Sequence, residues 1–175
     1  REVDYGHIEG PMDLVAGGPP CQPFSIGGKH RGPRDYRDMW PEAARAVREL
    51  APRAFVFENV RGMTRHAFAD YLRYILASLE WPALAPLEGE EWPGHLRRLE
   101  RQAREAERGR GGVGPHYQVR LHVVNAADYG VPQKRHRVFV VGLRSDLGID
   151  WSFPAPTHSR EALAWEQWVS GEYWE

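Results

Sequence analysis

The single cysteine of the chain, Cys21, lies in a loop whose composition fits a reactive thiol. Residues 17–25 read Gly-Gly-Pro-Pro-Cys-Gln-Pro-Phe-Ser and directly follow a short apolar run that predicts a β-strand. A thiol at the carboxyl end of a strand lies at the crevice where α/β folds bind ligands, and the prolines stiffen its loop. A thiolate placed there can act as a nucleophile. The alternative is an inert buried cysteine, which this composition disfavours.

A carboxylate and two arginines form a second group of residues that could do chemistry. Glu58 and Asn59 directly follow an apolar run, at the end of the next predicted strand. Arg135 and Arg137 enter a later predicted strand at positions i and i+2, so their side chains should point to one face. The alternatives are a plain loop carboxylate and arginines in surface salt bridges.

Alternating strands and helices must position these residues. Apolar runs predict strands, and apolar residues at helical spacing predict amphipathic helices. This alternation predicts an α/β sheet. The predicted strands are 12–16, 54–57, 117–124 and 137–143, and the predicted helices are 36–50, 67–79 and 96–108.

Residues 81–115 differ in character from the rest of the chain. Prolines break the first half, and a charge-dense helix follows, for which i,i+4 spacing predicts the ion pairs Glu100–Arg104 and Arg101–Glu105. We interpret the segment as an inserted, solvent-facing helical arm. The alternative is an arm that binds DNA or a partner protein.

Composition excludes several classes of protein. The chain has 175 residues, 42% of them hydrophobic, and a formal net charge of −1. These values exclude a disordered chain and a strongly basic tail, and no apolar run reaches the roughly 20 residues of a membrane span. One cysteine allows no internal disulfide, which indicates a reducing compartment. With that one cysteine, and with no histidines spaced as metal ligands, no metal site is expected.

The motifs resemble those of the cytosine-C5 DNA methyltransferases. Residues 17–25 resemble the catalytic motif of that family, and residues 57–60, Phe-Glu-Asn-Val, resemble its Glu-Asn-Val motif. Residues 133–137, Gln-Lys-Arg-His-Arg, match its Gln-x-Arg-x-Arg motif, and residues 125–132 and 153–158 are similar to the segments before and after it. All five stand in the family's order. The resemblance implies part of a doubly wound, Rossmann-like sheet that uses S-adenosylmethionine.

The resemblance implies a covalent mechanism on a flipped-out cytosine. Cys21 would add to C6 of the base, so that C5 becomes able to accept a methyl group. Glu58 would supply a proton or hydrogen bond at N3, and Arg135 and Arg137 would stabilise charge at O2. The partner is then double-stranded DNA in a bacterial cytoplasm, at the nucleoid, and a restriction system is the expected setting.

Five further residues take supporting roles by the same resemblance. Pro20 and Met39 stand where the family places cofactor contacts and would form one wall of that site. Gln22, Ser25 and Asn59 are expected to contact the substrate, with Ser25 near the phosphates around the flipped base.

Other parts of the family's pattern are absent from the printed sequence. These are the glycine-rich cofactor motif, the acidic residue after the second strand, the target-recognition region and the C-terminal helix that closes the fold. We therefore interpret residues 1–160 as the central part of a catalytic domain and 161–175 as the start of a segment that leads to target recognition. The 175 residues alone are expected to be inactive. The alternatives are a DNA-binding or complementing fragment that works with a second chain, and a relative that methylates tRNA.

Overall fold

The computed structural model describes residues 3–8, 10–20, 38–110 and 114–174. Four strands and four helices follow one another in these ranges, and several short 3-10 turns connect them. The strands are β1 (Leu14–Gly17), β2 (Ala54–Val60), β3 (Tyr117–Asn125) and β4 (His136–Arg144). The helices are α1 (Trp40–Leu50), α2 (Ala69–Glu80), α3 (Trp92–Glu107) and α4 (Arg160–Trp165). The predicted α/β class is confirmed.

The strands form one mixed sheet in the order β1-β2-β4-β3. β1 pairs with β2 in parallel, whereas β4 pairs antiparallel with both β2 and β3. Because β4 is the reversed strand, its first residues lie beside the last residues of β2 and β3. The register sets Arg137 opposite Val60 on one side and opposite Val124 on the other. Residues far apart in sequence therefore meet at one edge of the sheet.

Helices α1 and α2 cover one face of this sheet. Along β2 burial alternates, and Phe55, Phe57 and Asn59 point to the covered face. The hydrophobic core lies between this face and the two helices, and its largest members are Trp40, Phe55, Phe57, Met63, Tyr71 and Tyr117. Glu58 and Arg137, by the alternation of the strands, belong to the opposite face. The core thus fixes the strand register, and the register sends the polar side chains to the other side.

Proline and a left-handed residue set the bounds of α1. Pro41 stands in the first turn, where its missing N–H costs no hydrogen bond. The helix ends at Ala51, which takes a left-handed conformation with φ of 42°, and Pro52 follows. The sequence predicted a start at Tyr36, whereas α1 begins at Trp40 and the two residues before it, Asp38 and Met39, are not helical. Residues 36 and 37 lie outside the described ranges.

Helix α3 is the main element of the segment predicted to be an arm. One of its faces packs against α2, with His95, Leu99 and Gln102 buried. The other face is exposed to solvent. The two predicted i,i+4 ion pairs are wrong. Glu100 instead pairs with Arg73 of α2, because that helix lies within reach of its carboxylate.

The segment after β4 returns across the uncovered face. Phe153 stacks on His122 at 4.4 Å between ring centroids and lies 5.9 Å from Phe139. His122, Phe139 and Glu58 are cross-strand neighbours, so this ring cluster lies beside Glu58 on the same face. Among the described residues, no helix combines the length and apolar character that a membrane span requires.

Candidate active site

Glu58 and Arg137 form the centre of the candidate site. Arg137 Nε donates to Glu58 Oε1 at 2.6 Å, and Arg137 Nη1 donates to the carbonyl of His136 at 2.8 Å. Both side chains keep solvent access, with 41% of Glu58 and 22% of Arg137 exposed. The structure therefore joins two residues that the sequence placed in separate motifs. Their polar atoms remain reachable by a ligand.

Asn59 joins β2 to the loop that leads to Cys21. Its side chain is only 2% exposed, its Nδ2 donates to the carbonyl of Pro19 at 3.0 Å, and its Oδ1 accepts from Val60 N at 2.8 Å. Both ends of the amide are thus used by the backbone. The substrate contact predicted for Asn59 stays a prediction, since the described contacts are those of a positioning residue.

The end of β1 lies close to the end of β2. A Cβ placed on Gly18 would lie 3.7 Å from Glu58 Oε2, and one on Gly17 would lie 3.6 Å from the Phe57 ring. The backbone after β1 therefore passes close to the Glu58 carboxylate. Cys21, Gln22 and Ser25 lie outside the described residues.

Hydrogen bonds of Asn125 and Ala126 with the backbone of Arg135 close the loop between β3 and β4, which carries the Gln-Lys-Arg-His-Arg motif. Asn125 Oδ1 accepts from Arg135 N at 3.1 Å, and Asn125 Nδ2 donates to Asp128 Oδ1 at 3.0 Å. Ala126 N also donates to the carbonyl of Arg135 at 2.9 Å. The Arg135 side chain is exposed, and no hydrogen bond or ion pair joins it to the described residues. Arg135 and Arg137 thus stand at the same end of β4, with only Arg137 engaged by Glu58.

A second contact holds this loop from the other side. The carbonyl of Asp128 accepts from the backbone N–H groups of Thr157 and His158, each at 3.0 Å. Gly130 is required beside them, because its φ is +88° and an added Cβ would lie 3.0 Å from the His158 ring. The segments predicted to flank the motif therefore act together to fix its position.

Asp38 is a buried residue that sequence reasoning missed. Its Oδ1 accepts from Trp40 N at 3.0 Å at the start of α1, and its Oδ2 accepts from the hydroxyl of Tyr71. Burial, reinforced by the charge of Asp38, raises the pKa of Tyr71 far above its usual range. The signal in the sequence was an aspartate two residues before a helix start, where its side chain can accept from the backbone two residues on in an Asx turn.

The residues predicted to line a cofactor site are partly accessible. Met39 is half-buried at the start of α1, and Pro20 is exposed after β1. The Asp38 carboxylate accepts from Trp40 N and the Tyr71 hydroxyl and is buried, so it belongs to the interior of the protein. The described residues fit S-adenosylmethionine as an apolar wall only. They contain no group of three or more His, Cys, Asp or Glu that could hold a metal ion.

Comparison with known proteins decides the family. The family model for C-5 cytosine-specific DNA methylases matches residues 1–81 and 111–167. The chain belongs to this family. The α/β sheet of this chain is part of a Rossmann-like methyltransferase fold, as the motifs predicted. Residues 82–110 lie outside the match, and the interpretation of this region as an insertion stays a prediction.

Several curated relatives are similar to this methylase chain. The Type II methyltransferase M.AquIA of Picosynechococcus sp. is 41% identical over 84% of the chain and 49% of its own length. M.AplI of Arthrospira platensis is 37% identical over 81% of the chain and 30% of its length. M.HgiCII of Herpetosiphon aurantiacus is 35% identical over 86% and 28%. The chain therefore spans half or less of the length of these relatives.

Proposed function

We propose that the protein containing this chain is a DNA (cytosine-5-)-methyltransferase of a restriction-modification system, acting in the bacterial cytoplasm at the nucleoid. The observation that carries the proposal is the contact of Glu58 with Arg137 beside the backbone that leads to Cys21. A carboxyl group, a guanidinium and a thiol are the three groups that attack on C6 of cytosine requires. The names of the relatives, all Type II methyltransferases, support the setting.

Cys21 is the proposed nucleophile. Its thiolate forms a bond to C6 of the flipped-out cytosine, and the electrons of the C5–C6 double bond move into the ring towards N3. Glu58 donates a proton or hydrogen bond to N3 and so lowers the barrier to this addition. C5 then takes the methyl group as the bond from the donor sulfur to that group breaks, which leaves a neutral thioether. Water takes the C5 proton, the electrons of that C–H bond re-form the C5–C6 double bond, and the thiolate leaves C6.

Arg137 has two proposed partners in turn. In the structure its Nε is bonded to Glu58. When a base enters, the guanidinium turns to the O2 oxygen, where negative charge grows, and Glu58 is released to face N3. Arg135, which is exposed at the same end of β4, stabilises the same oxygen or a neighbouring phosphate. The ion pair thus holds both groups at the site until the substrate arrives.

Asn59 is proposed as a positioning residue. It fixes the carbonyl of Pro19, and Cys21 follows two residues later in the sequence. The hydrogen bond therefore sets the distance between the loop of the nucleophile and the strand of the acid. Gln22 and Ser25 remain proposed contacts to the DNA, from the resemblance of their motif.

Methyl transfer implies S-adenosylmethionine as the donor. When bound, it supplies a methyl group on a positively charged sulfur, the electrophile that the activated C5 requires. Pro20 and Met39 would form part of the wall of its site.

The decisive experiment is covalent trapping with the full-length protein. A duplex that carries 5-fluorocytosine at the target, incubated with S-adenosylmethionine, should form a stable protein–DNA adduct, because fluorine at C5 prevents the final elimination. Cys21→Ser should abolish the adduct. An adduct that persists in Cys21→Ser would refute the assignment of the nucleophile.

The roles of Glu58 and Arg137 are tested by separating rate from affinity. Glu58→Gln and Arg137→Ala should each reduce turnover by roughly 10² while DNA affinity is retained. Arg120→Ala is the control, since Arg120 pairs with Asp150 in the segment after β4. If affinity fell in proportion to the rate, the residues would serve binding and the proposed chemistry would be wrong.

A further inference from the structure

The backbone of Arg135 is fixed at both of its polar groups, although its side chain is exposed. The carbonyl of Arg135 accepts from Ala126 N at 2.9 Å, and its N–H donates to Asn125 Oδ1 at 3.1 Å. Within the described ranges, no ion pair includes the Arg135 guanidinium. The backbone of Arg135 is therefore held in place while its guanidinium stays available to a substrate.

The side chain of Asn125 replaces a backbone hydrogen bond of the sheet at this point. Ala126 and Arg135 form the pair that follows Asn125–His136, the last pair of the β3–β4 ladder. In a hydrogen-bonded antiparallel pair, the two residues exchange both of their N–H···O bonds. The Ala126 carbonyl instead accepts from Val131 N at 3.2 Å, in the turn after β3. The N–H of Arg135 is thereby left to Asn125, whose side-chain oxygen takes the place of that carbonyl.

Asp128 fixes which end of the Asn125 amide faces Arg135. Asn125 Nδ2 donates to Asp128 Oδ1 at 3.0 Å. A carboxylate oxygen only accepts, so the NH2 group of the amide points to Asp128 and its oxygen points to Arg135 N. The carbonyl of Asp128 in turn accepts from Thr157 N and His158 N. The segment after β4 thus sets the orientation of Asn125 through Asp128.

We propose that Asn125 is a positioning residue that holds Arg135 beside Arg137 at the reacting base, an inference that rests on the proposed function. The Arg137 side chain is held by Glu58, whereas the placement of Arg135 depends on its backbone. A group that stabilises developing charge must stand close to its productive position, and a misplacement of about 1 Å can cost up to about 10²-fold in rate. Loss of the Asn125 oxygen should therefore reduce activity through Arg135.

The test is a double-mutant cycle on Asn125 and Arg135 in the full-length protein. The measured quantity is the single-turnover rate constant of methyl transfer divided by the DNA concentration that gives half the maximal rate, so it includes both rate and affinity. Arg135→Ala should lower this quantity by roughly 10²-fold, and Asn125→Ala should lower it by roughly 10-fold. In the double variant, the further loss caused by Asn125→Ala should be less than about 2-fold, because no guanidinium is left to position.

Ser145→Ala is the matched control. Ser145 Oγ donates to the carbonyl of His116 at 2.9 Å, so it also joins a side chain to the backbone across β3 and β4, at their opposite end. This variant should leave the measured quantity unchanged to within about 2-fold.

Two variants of Asp128 test the bond that orients the amide. Asp128→Asn keeps an acceptor oxygen for Asn125 Nδ2 and should retain the activity of the unmodified protein. Asp128→Ala removes that acceptor and should lower activity in the same direction as Asn125→Ala. Equal losses in the two Asp128 variants would overturn the orienting role of this bond.

The proposal is overturned by any of three results in the cycle. Asn125→Ala could cause the same fold loss with and without the Arg135 side chain, which would show that it acts independently of Arg135. Asn125→Ala could leave the measured quantity unchanged, or Ser145→Ala could reduce it as strongly as Asn125→Ala does.

Hydrogen exchange at the Arg135 amide separates this result from the proposed function, because it requires no activity. The bond to Asn125 Oδ1 should slow this exchange, and Asn125→Ala should accelerate it by about 10-fold, whereas Ser145→Ala should not. An unchanged exchange rate in Asn125→Ala would overturn the positioning role. Failure of the unmodified protein to form the 5-fluorocytosine adduct would instead refute the methyltransferase proposal.

Discussion

We predict that the side-chain amide of Asn59, which donates to the carbonyl of Pro19, affects both the free energy of unfolding and the rate of adduct formation. Asn59→Ala removes two partly buried hydrogen bonds and leaves the carbonyl of Pro19 without its donor. At about 1 kcal/mol for each bond, the free energy of unfolding should fall by about 2 kcal/mol. Because the loop of Cys21 loses its anchor, adduct formation should slow by at least about 10-fold.

Two further variants separate the effect of losing the Asn59–Pro19 hydrogen bond from the effect of a general loss of stability. Asn59→Asp keeps the oxygen that accepts from Val60 N but replaces the donor to Pro19, so it should be at least as slow as Asn59→Ala. Ser78→Ala removes another buried side-chain bond to a carbonyl, that of Tyr74 at 2.8 Å, far along α2. It should cost about 0.5–1 kcal/mol and leave the rate unchanged.

The assay is the single-turnover rate of adduct formation on the 5-fluorocytosine duplex at saturating DNA, beside urea unfolding of the same variants. If Asn59→Ala lost stability but formed the adduct at the original rate, the anchor would be a structural bond only. The argument that Asn59 positions Cys21 would then be refuted.

Three other variants test packing and protonation. Gly142→Ala should lower stability by about 1–3 kcal/mol in urea unfolding, because the new Cβ would lie 2.2 Å from the Phe55 ring; an unchanged midpoint would contradict this packing. Leu99→Ala should cost about 2–5 kcal/mol, since Leu99 is fully buried, whereas a free arm would lose almost nothing. Burial lowers the pKa of His95 in the folded protein. The contribution of its neutral imidazole to the free energy of unfolding should therefore be complete above the pKa of histidine in the unfolded chain, about 6.5. This contribution should be lost as pH falls through the lower folded-state pKa. Unfolding midpoints measured from about one pH unit above that value to about one and a half below it should show this fall in the unmodified protein and a smaller one in His95→Gln.

The sequence predicted all four strands and three of the four helices, because their apolar patterns are local, and it missed α4. The run 54–57 and the alternation after Arg137 each predict a strand from neighbouring residues, and both strands are found. Helix ends were less accurate, as at α1, because they depend on caps such as the bond from Trp40 N to Asp38.

Contacts between distant elements could not be predicted in the same way. The pairing of Glu58 with Arg137 depends on β4 lying between β2 and β3, and no local pattern specifies that order. The charge pattern of α3 suggested a pair between Glu100 and Arg104, but Arg73 of another helix takes the carboxylate.

The reversed direction of β4 also has a consequence for the order of events during synthesis. Glu58 is made early, whereas Arg137 leaves the ribosome only after α2, α3 and β3 have been completed. The hairpin of β3 and β4 is a local pairing that can form quickly, but its docking beside β2 closes a long stretch of chain, which is a slow step. A nascent chain therefore carries its thiol for some time without the arginine partner of Glu58, and we expect base chemistry to begin only once this docking has occurred.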